Sequence, residues 1–219
     1  MSETKRVTER SCPIARDALP LFVPPAVVGI AFLVLNWWIA GGAILALALF
    51  ILYFFRVPRL EYEYSEGDIL SPAYGKVVAI ADVTEPEFMH CNVKRISIFL
   101  RIYDIHINYS PVDGRLQYKK YHKGRFGIAG FDKASDLNEH MTVGVENGDE
   151  RLSFKIIAGM IARRIIMPLN KGTEIRAGEK IGMVKFGSRA DVFVPMDYEI
   201  LVDVGQKVRG PLTVLARRK

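Results

Sequence analysis

Cysteine is scarce in this chain of 219 residues: Cys12 and Cys91 are the only two, and they flank an apolar run without metal-ligand spacing. A disulfide framework is excluded on that count, and no metal is expected. Charge is missing from one long stretch. From Ala18 to Phe55 the chain reads "ALPLFVPPAVVGIAFLVLNWWIAGGAILALALFILYFF", with neither an acid nor a base. There is no low-complexity tract and no long linker. Basic residues are in excess, giving a net charge of +6, but they are scattered and form no helical stripe interleaved with aromatics. Nucleic acid is therefore not an expected partner.

Half of the residues are hydrophobic, and the excess is concentrated in the uncharged run. A spanning helix needs about 20 apolar residues, so the run has room for two short spans. Pro24-Pro25, Asn36 and Gly41-Gly42 offer places to turn, and Trp37-Trp38 would suit a membrane interface. Lys5, Arg6, Arg10 and Arg16 precede the run while Arg56 and Arg59 follow it, so the positive-inside rule assigns both flanks to the cytoplasm. The expectation is a transmembrane helical hairpin over residues 1–56 that anchors a domain of residues 57–219 at the cell membrane, facing the cytoplasm. A single tilted span after an interfacial segment is the alternative. The positive net charge suits anionic lipid headgroups.

The domain is expected to be mainly β (α+β). "GKVVAIADV", "RISIFLRIYDIHIN", "RLSFKIIAG" and "DVFVP" are rich in β-branched and aromatic residues and are separated by Gly, Pro, Asn and Asp. In the second of these, Ile96, Ile98, Leu100 and Ile102 share one phase, whereas Ile105 and Ile107 continue in the other. This slip predicts a β-bulge near Tyr103-Asp104 that puts His106 and Asn108 on the opposite face. "GTEIRAGEKIG" and "GQKVRGPLTVL" echo each other in glycine spacing. Such echoes occur in carrier domains that hold biotin or lipoate on a lysine, for which Lys133 in "FDKAS" is the candidate; it lies upstream of both echoed segments.

"KFGSRADVF" places Gly187-Ser188 between an apolar and an alternating stretch. About one Gly-Ser pair is expected by chance in a chain of this length. A hydrolase nucleophile elbow would need glycine two residues before and two after the serine, where Phe186 and Ala190 stand. The segment that follows alternates as a strand and not as the helix an elbow requires.

Taken in order, "FFRVP", "SPAYGKV", "SIFLRIYDIHINYSPVDG", "FDKASDLNE", "IAGMIARRI" and "KFGSRADVFVP" make the chain resemble the phosphatidylserine decarboxylase proenzymes, in particular the short, membrane-anchored prokaryotic form. The resemblance implies self-cleavage between Gly187 and Ser188. The Ser188 hydroxyl would attack the Gly187 carbonyl, and the resulting ester would eliminate, leaving Ser188 as a covalent pyruvoyl group. Residues 1–187 and 188–219 would then persist as a heterodimer. It also implies a membrane phospholipid as substrate, with the pyruvoyl ketone accepting the electrons that carbon dioxide leaves behind. His106 is implied as the proton donor to carbon. In "IAGMIARRI", Arg163 or Arg164 is a candidate grip on the lipid phosphate, with a pair of structural surface arginines as the alternative. His90, His122 and His140 match no family histidine and are read as surface residues.

Departures from the family pattern are local. Tyr74 stands where the family usually has an aspartate associated with self-cleavage, and a phenol is a poor base at neutral pH. Tyr109 and His140 replace residues that are usually basic. Normal maturation, slow maturation and an uncleaved, inactive membrane relative all remain open at this point.

Overall fold

The computed structural model describes residues 4–9, 14–15, 18–124, 138–159, 165–184 and 188–219. They divide into two units, Thr8–Leu60 and a larger one of Met1–Val7 with Glu61–Lys219.

The smaller unit holds two antiparallel helices, α1 (Leu19–Val34) and α2 (Trp38–Phe54). The chain reverses at Asn36, whose φ of 62° is a left-handed conformation that asparagine tolerates better than most residues. Gly29 and Gly41 let the helices meet closely: a Cβ on Gly41 would lie 2.9 Å from the Gly29 carbonyl oxygen. Elsewhere the surface is apolar, with Val27, Ile30, Val34, Ile39 and Leu49 exposed. Helices of 16 and 17 residues run about 24 to 26 Å, short of the apolar bilayer thickness of about 30 Å. No helix among the described residues is long and apolar enough to cross a membrane. The expected transmembrane hairpin is corrected accordingly, because the left-handed turn at Asn36 cuts the uncharged run into two pieces that are each too short.

The larger unit is mainly β. Its strands are β1 (Thr4–Glu9), β2 (Leu60–Ser65), β3 (Asp68–Leu70), β4 (Gly75–Glu85), β5 (Cys91–Leu100), β6 (Ile107–Tyr109), β7 (Gly114–His122) and β8 (His140–Asn147). They continue with β9 (Glu150–Ala158), β10 (Ile165–Ile166), β11 (Glu174–Ile175), β12 (Lys180–Val184), β13 (Ser188–Pro195), β14 (Tyr198–Ile200), β15 (Lys207–Val208) and β16 (Val214–Arg218). Eight of them form one sheet in the order β11-β7-β8-β9-β13-β5-β4-β15. Two three-stranded sheets, β10-β12-β6 and β14-β16-β3, and the pair β1-β2 complete the set.

This order reads as a two-fold repeat about the β9/β13 pair. "SPAYG" (71–75) enters β4 and "SPVDG" (110–114) enters β7. Ser71 Oγ donates to the Ala73 carbonyl at 2.8 Å and Ser110 Oγ to the Val112 carbonyl at 2.7 Å. A register shift falls between Val77 and Ala79 in one half and between Leu116 and Tyr118 in the other. At the two edges Val208 pairs with Gly75, and Ile175 with Gly114. A Cβ on Gly75 would meet the Phe99 carbonyl oxygen at 2.4 Å, and one on Gly114 the Glu146 carbonyl oxygen at 2.5 Å. The echoed segments seen in the sequence are thus the two edge strand-turn-strand pieces, β11-β12 and β15-β16.

Directly opposed residues of a ladder project to the same face. Val192, Ile96, Phe154 and Val143 form one such row, and Ala190, Ile98, Ile156 and Met141 the next. They belong to the apolar core under the sheet. The predicted bulge near Tyr103-Asp104 is replaced by a break in the strand. β5 ends at Leu100, and a turn follows in which the Asp104 carboxylate accepts from the Arg101 N–H at 2.8 Å and the Asp104 N–H donates to the Arg101 carbonyl at 2.9 Å. Ile102 is consequently exposed, whereas Ile105, His106, Ile107 and Asn108 are all buried.

Candidate functional site

Ser188 is the first residue of β13 and is paired on both sides, with Leu100 of β5 and Ala158 of β9. Its side chain points to the apolar face beside Leu100 and Ala190 and is 1% exposed. Its hydroxyl finds no hydrogen-bond partner among the described residues. An orphaned buried hydroxyl costs about 1–3 kcal/mol; Ser153 Oγ of β9 is in the same state on the other face of the sheet. Gly187 lies outside the described residues, as do Arg163, Arg164 and Lys133.

His106 is fully buried at the end of the turn that follows Leu100. Its Nδ1 lies 2.8 Å from the Asp104 carbonyl oxygen, and its own carbonyl accepts from the Val184 N–H at 3.1 Å. The first contact makes Nδ1 the protonated nitrogen of the neutral ring and Nε2 the basic one. Tyr74 precedes β4, half-buried, with its ring 6.3 Å from that of buried Tyr109. The Tyr109 N–H donates to the Pro72 carbonyl at 2.9 Å, tying β6 to the loop that carries Tyr74.

The internal repeat gives each of these three residues a counterpart. Register matching makes Glu150 the counterpart of Ser188, since Glu150 pairs with Asn147 as Ser188 does with Leu100. Asp113 is the counterpart of Tyr74 in the Ser-Pro-x-x-Gly segments. Gly67 is that of His106, its carbonyl accepting from the Arg218 N–H at 3.0 Å. Gly67, Asp113 and Glu150 line a single cavity of about 310 Å³ at the end of the sheet remote from Ser188. At the Ser188 end the counterparts of these three are His106, Tyr74 and Ser188.

The opposite face of the sheet is polar although largely buried. Arg189 Nε donates to Asp191 Oδ1 at 2.6 Å and Arg189 Nη2 to Ser97 Oγ at 2.7 Å, and neither charged side chain of the pair has any exposed area. This pair pins the strand that begins at Ser188.

Farther along the same face, Glu85 accepts from the backbone N–H groups of Glu87, Phe88 and Met89 and so shapes the β4–β5 loop. Glu87 then reaches over the sheet. Its carboxylate accepts from Thr142 at 2.9 Å and Tyr118 at 3.0 Å, lies 2.8 Å from His122 Nε2, and has Lys155 Nζ at 3.4 Å. Burial alone would raise the Glu87 carboxyl, but the Thr142 hydrogen bond, the Lys155 charge and the Tyr118 and His122 contacts outweigh it and hold the group down at about 2. His140, read from the sequence as a surface residue, is instead buried, and its imidazole is lowered chiefly by that burial. His122 is only 24% exposed and stacks on His140 with ring centroids 4.4 Å apart. His90 is exposed.

A pH dependence follows from the depressed Glu87 carboxyl. Because its folded-state value, about 2, lies below the ordinary 4.5, the stabilisation it provides is complete above about pH 4.5 and is lost as pH falls toward about 2. Melting temperatures of the parent and Glu87→Gln chains should therefore differ most near neutrality and converge on acidification. A gap that stays constant down to about pH 2 would contradict the assignment.

None of Glu87, Arg189 and Asp191 was singled out from the sequence. The available signal was two charges, in "SRADVFVP", on a strand otherwise apolar.

The family described as phosphatidylserine decarboxylase matches residues 47–216 of the chain. The chain belongs to that family. Among similar proteins, one from Carboxydothermus hydrogenoformans is 36% identical over 93% of this chain and 96% of its own length. Another, from Symbiobacterium thermophilum, is 37% identical over 93% and 95%. A third, from Amoebophilus asiaticus, is 42% identical over 78% and 76%. All three are named phosphatidylserine decarboxylase proenzyme.

Proposed function

We propose that the chain is a carboxy-lyase that removes the carboxyl group of phosphatidylserine, giving carbon dioxide and phosphatidylethanolamine, by way of a pyruvoyl group formed from Ser188. The observation that carries this reading is the buried, unpartnered Ser188 hydroxyl at the head of β13, in a chain of this family. The residues fit the group. Its neighbours Ala190, Ala158 and Leu100 are small or aliphatic, and among the described residues its hydroxyl meets no competing acceptor.

In maturation the Ser188 Oγ attacks the Gly187 carbonyl carbon, and the acyl chain passes from nitrogen to oxygen. Elimination of the ester releases Gly187 as a carboxylate; water then replaces the amine of residue 188, which leaves as ammonia. His106, with Nδ1 engaged by the Asp104 carbonyl, supplies Nε2 as the base that takes the Ser188 hydroxyl proton. In turnover the same nitrogen returns a proton to the substrate carbon. The pyruvoyl group, once formed, supplies the sink for the electron pair that carbon dioxide leaves behind. After cleavage residues 188–219 carry β13 to β16, and β13 is hydrogen-bonded on both sides, which supports a heterodimer that stays assembled. Arg163 or Arg164 is proposed to hold the lipid phosphate.

The apolar hairpin of α1 and α2 is proposed to enter one leaflet of the cell membrane without crossing it, on the cytoplasmic face. Its exposed Val, Ile and Leu side chains contact acyl chains there, and Arg56 and Arg59 meet anionic headgroups.

The test is direct: the purified chain is mixed with vesicles containing phosphatidylserine labelled in the serine carboxyl, and released carbon dioxide is counted. No release from a cleaved chain would refute the reading. The repeat also says what a carboxylate at position 74 would do. Its counterpart Asp113 accepts from the Ala177 N–H and the Tyr64 hydroxyl at 2.8 and 2.9 Å. Tyr74→Asp is expected to speed maturation, read as the half-time for appearance of the two chains. An unchanged half-time would mean that Tyr74 has not displaced a working base.

A further inference from the structure

We infer that Glu87, His122 and His140 form a binding site for one divalent transition-metal ion of the zinc class, on the face of the sheet opposite to Ser188. One ligand atom from each residue lies within 4.8 Å of the other two. Around a tetrahedral zinc ion with bonds of about 2.0–2.2 Å, ligand atoms sit about 3.3 Å apart. Closure therefore needs shifts of about 1–1.5 Å, within the reach of side-chain rotation. Glu87 and His122 are already closer than that, at 2.8 Å.

The second imidazole holds the tautomer a metal ligand needs, and a turn of one ring out of the 13° stack with His122 brings the two lone pairs onto one ion. His140 Nδ1 lies 2.7 Å from the Asn138 carbonyl oxygen, which makes Nδ1 the donor and leaves the lone pair on Nε2. A carbonyl holding the distal ring nitrogen is the usual outer partner of a zinc-bound histidine. The three residues also come from a rigid frame: His122 and His140 are directly opposed on β7 and β8, and the loop of Glu87 is fixed by Glu85. Two imidazoles and one carboxylate suit zinc and its neighbours, whereas calcium and magnesium call for more oxygen ligands. Three protein ligands leave a fourth position for water. Lys155 Nζ, 3.4 Å from Glu87, is the competing cation; it also lies 5.6 Å above the Phe193 ring, a place it can keep when the ion enters. The bound ion would tie the β4–β5 loop to the end of the β7–β8 hairpin.

The test uses the full chain, stripped with chelator, titrated with zinc chloride by calorimetry and with cobalt(II) followed by its visible absorption. One equivalent per chain is expected, with a tetrahedral cobalt spectrum and a zinc-dependent rise in melting temperature. In His122→Gln and Glu87→Gln variants the affinity should fall by more than the ~10- to 100-fold that loss of an outer partner costs. His122 is part-exposed, so His122→Gln tests the site even if Glu87→Gln does not fold. A folded parent chain that takes up no zinc, or uptake that is unchanged in His122→Gln, overturns the assignment.

Discussion

With Ser188 replaced by alanine, the purified chain should run as one intact polypeptide and release no carbon dioxide from phosphatidylserine. Only the oxygen is lost, and it is the attacking atom of the proposed maturation. Fold and reactivity separate cleanly here. The Ser188 hydroxyl has no partner among the described residues and faces Leu100 and Ala190, so the variant gives up no internal hydrogen bond there. Removing a buried, unsatisfied hydroxyl relieves a penalty of about 1–3 kcal/mol. The uncut variant should therefore be at least as stable as the uncut parent. Intact-mass spectrometry of the denatured protein decides the matter. The parent should yield a fragment beginning at residue 188 that is lighter by one ammonia than its sequence, and Ser188→Ala only the full-length mass. A fragment beginning at residue 188 in the variant would remove Ser188 from the chemistry.

Asp191→Ala should be among the most destabilising single changes in the larger unit, by about 3–5 kcal/mol. Asp191 and Arg189 are both without exposed area and meet at 2.6 Å. Removing the carboxylate leaves a guanidinium with no exposed area without the acid it meets, and Ser97 Oγ on Nη2 is a neutral group that does not replace the lost charge. The double change Arg189→Met, Asp191→Leu should restore most of the lost stability, because a buried pair costs much to desolvate and little to replace by apolar groups. Denaturant unfolding of an uncut Ser188→Ala background isolates the effect from maturation. If the double variant is as unstable as Asp191→Ala, the destabilisation comes from the shape of the pair and not from the stranded charge.

Much of the β scaffold was legible because its strands carry period-two alternation: β4, β9 and β13 fall on segments chosen for β-branched and aromatic content. What alternation cannot tell is whether the polar face of a strand meets water or a second buried layer. Arg189, Asp191, Ser97 and Thr142 occupy such a face and are buried. The uncharged run announced its apolar character, but the positive φ of Asn36, a local backbone choice, decides that it becomes two short helices. Ser188 and His106 could be singled out from short motifs. Glu87, His122 and His140 could not, because strand register brings them together: Glu87 and His122 are 35 residues apart in sequence. One signal was present and passed over. "SPAYG" and "SPVDG" repeat each other as clearly as the glycine echo that was noticed.

That repeat sets the two ends of the sheet side by side as a comparison. Two copies of one half-plan, joined in a single chain, give a sheet whose two ends inherit the same backbone and differ only in side chains. One end has Ser188 where the other has Glu150, His106 where the other has Gly67, and Tyr74 where the other has Asp113. The difference between the two ends is thus not written into the architecture, which offers the same place twice. At one of the two places stands Ser188, from which the proposed chemistry starts; its twin is a hollow lined by the Asp113 and Glu150 carboxylates.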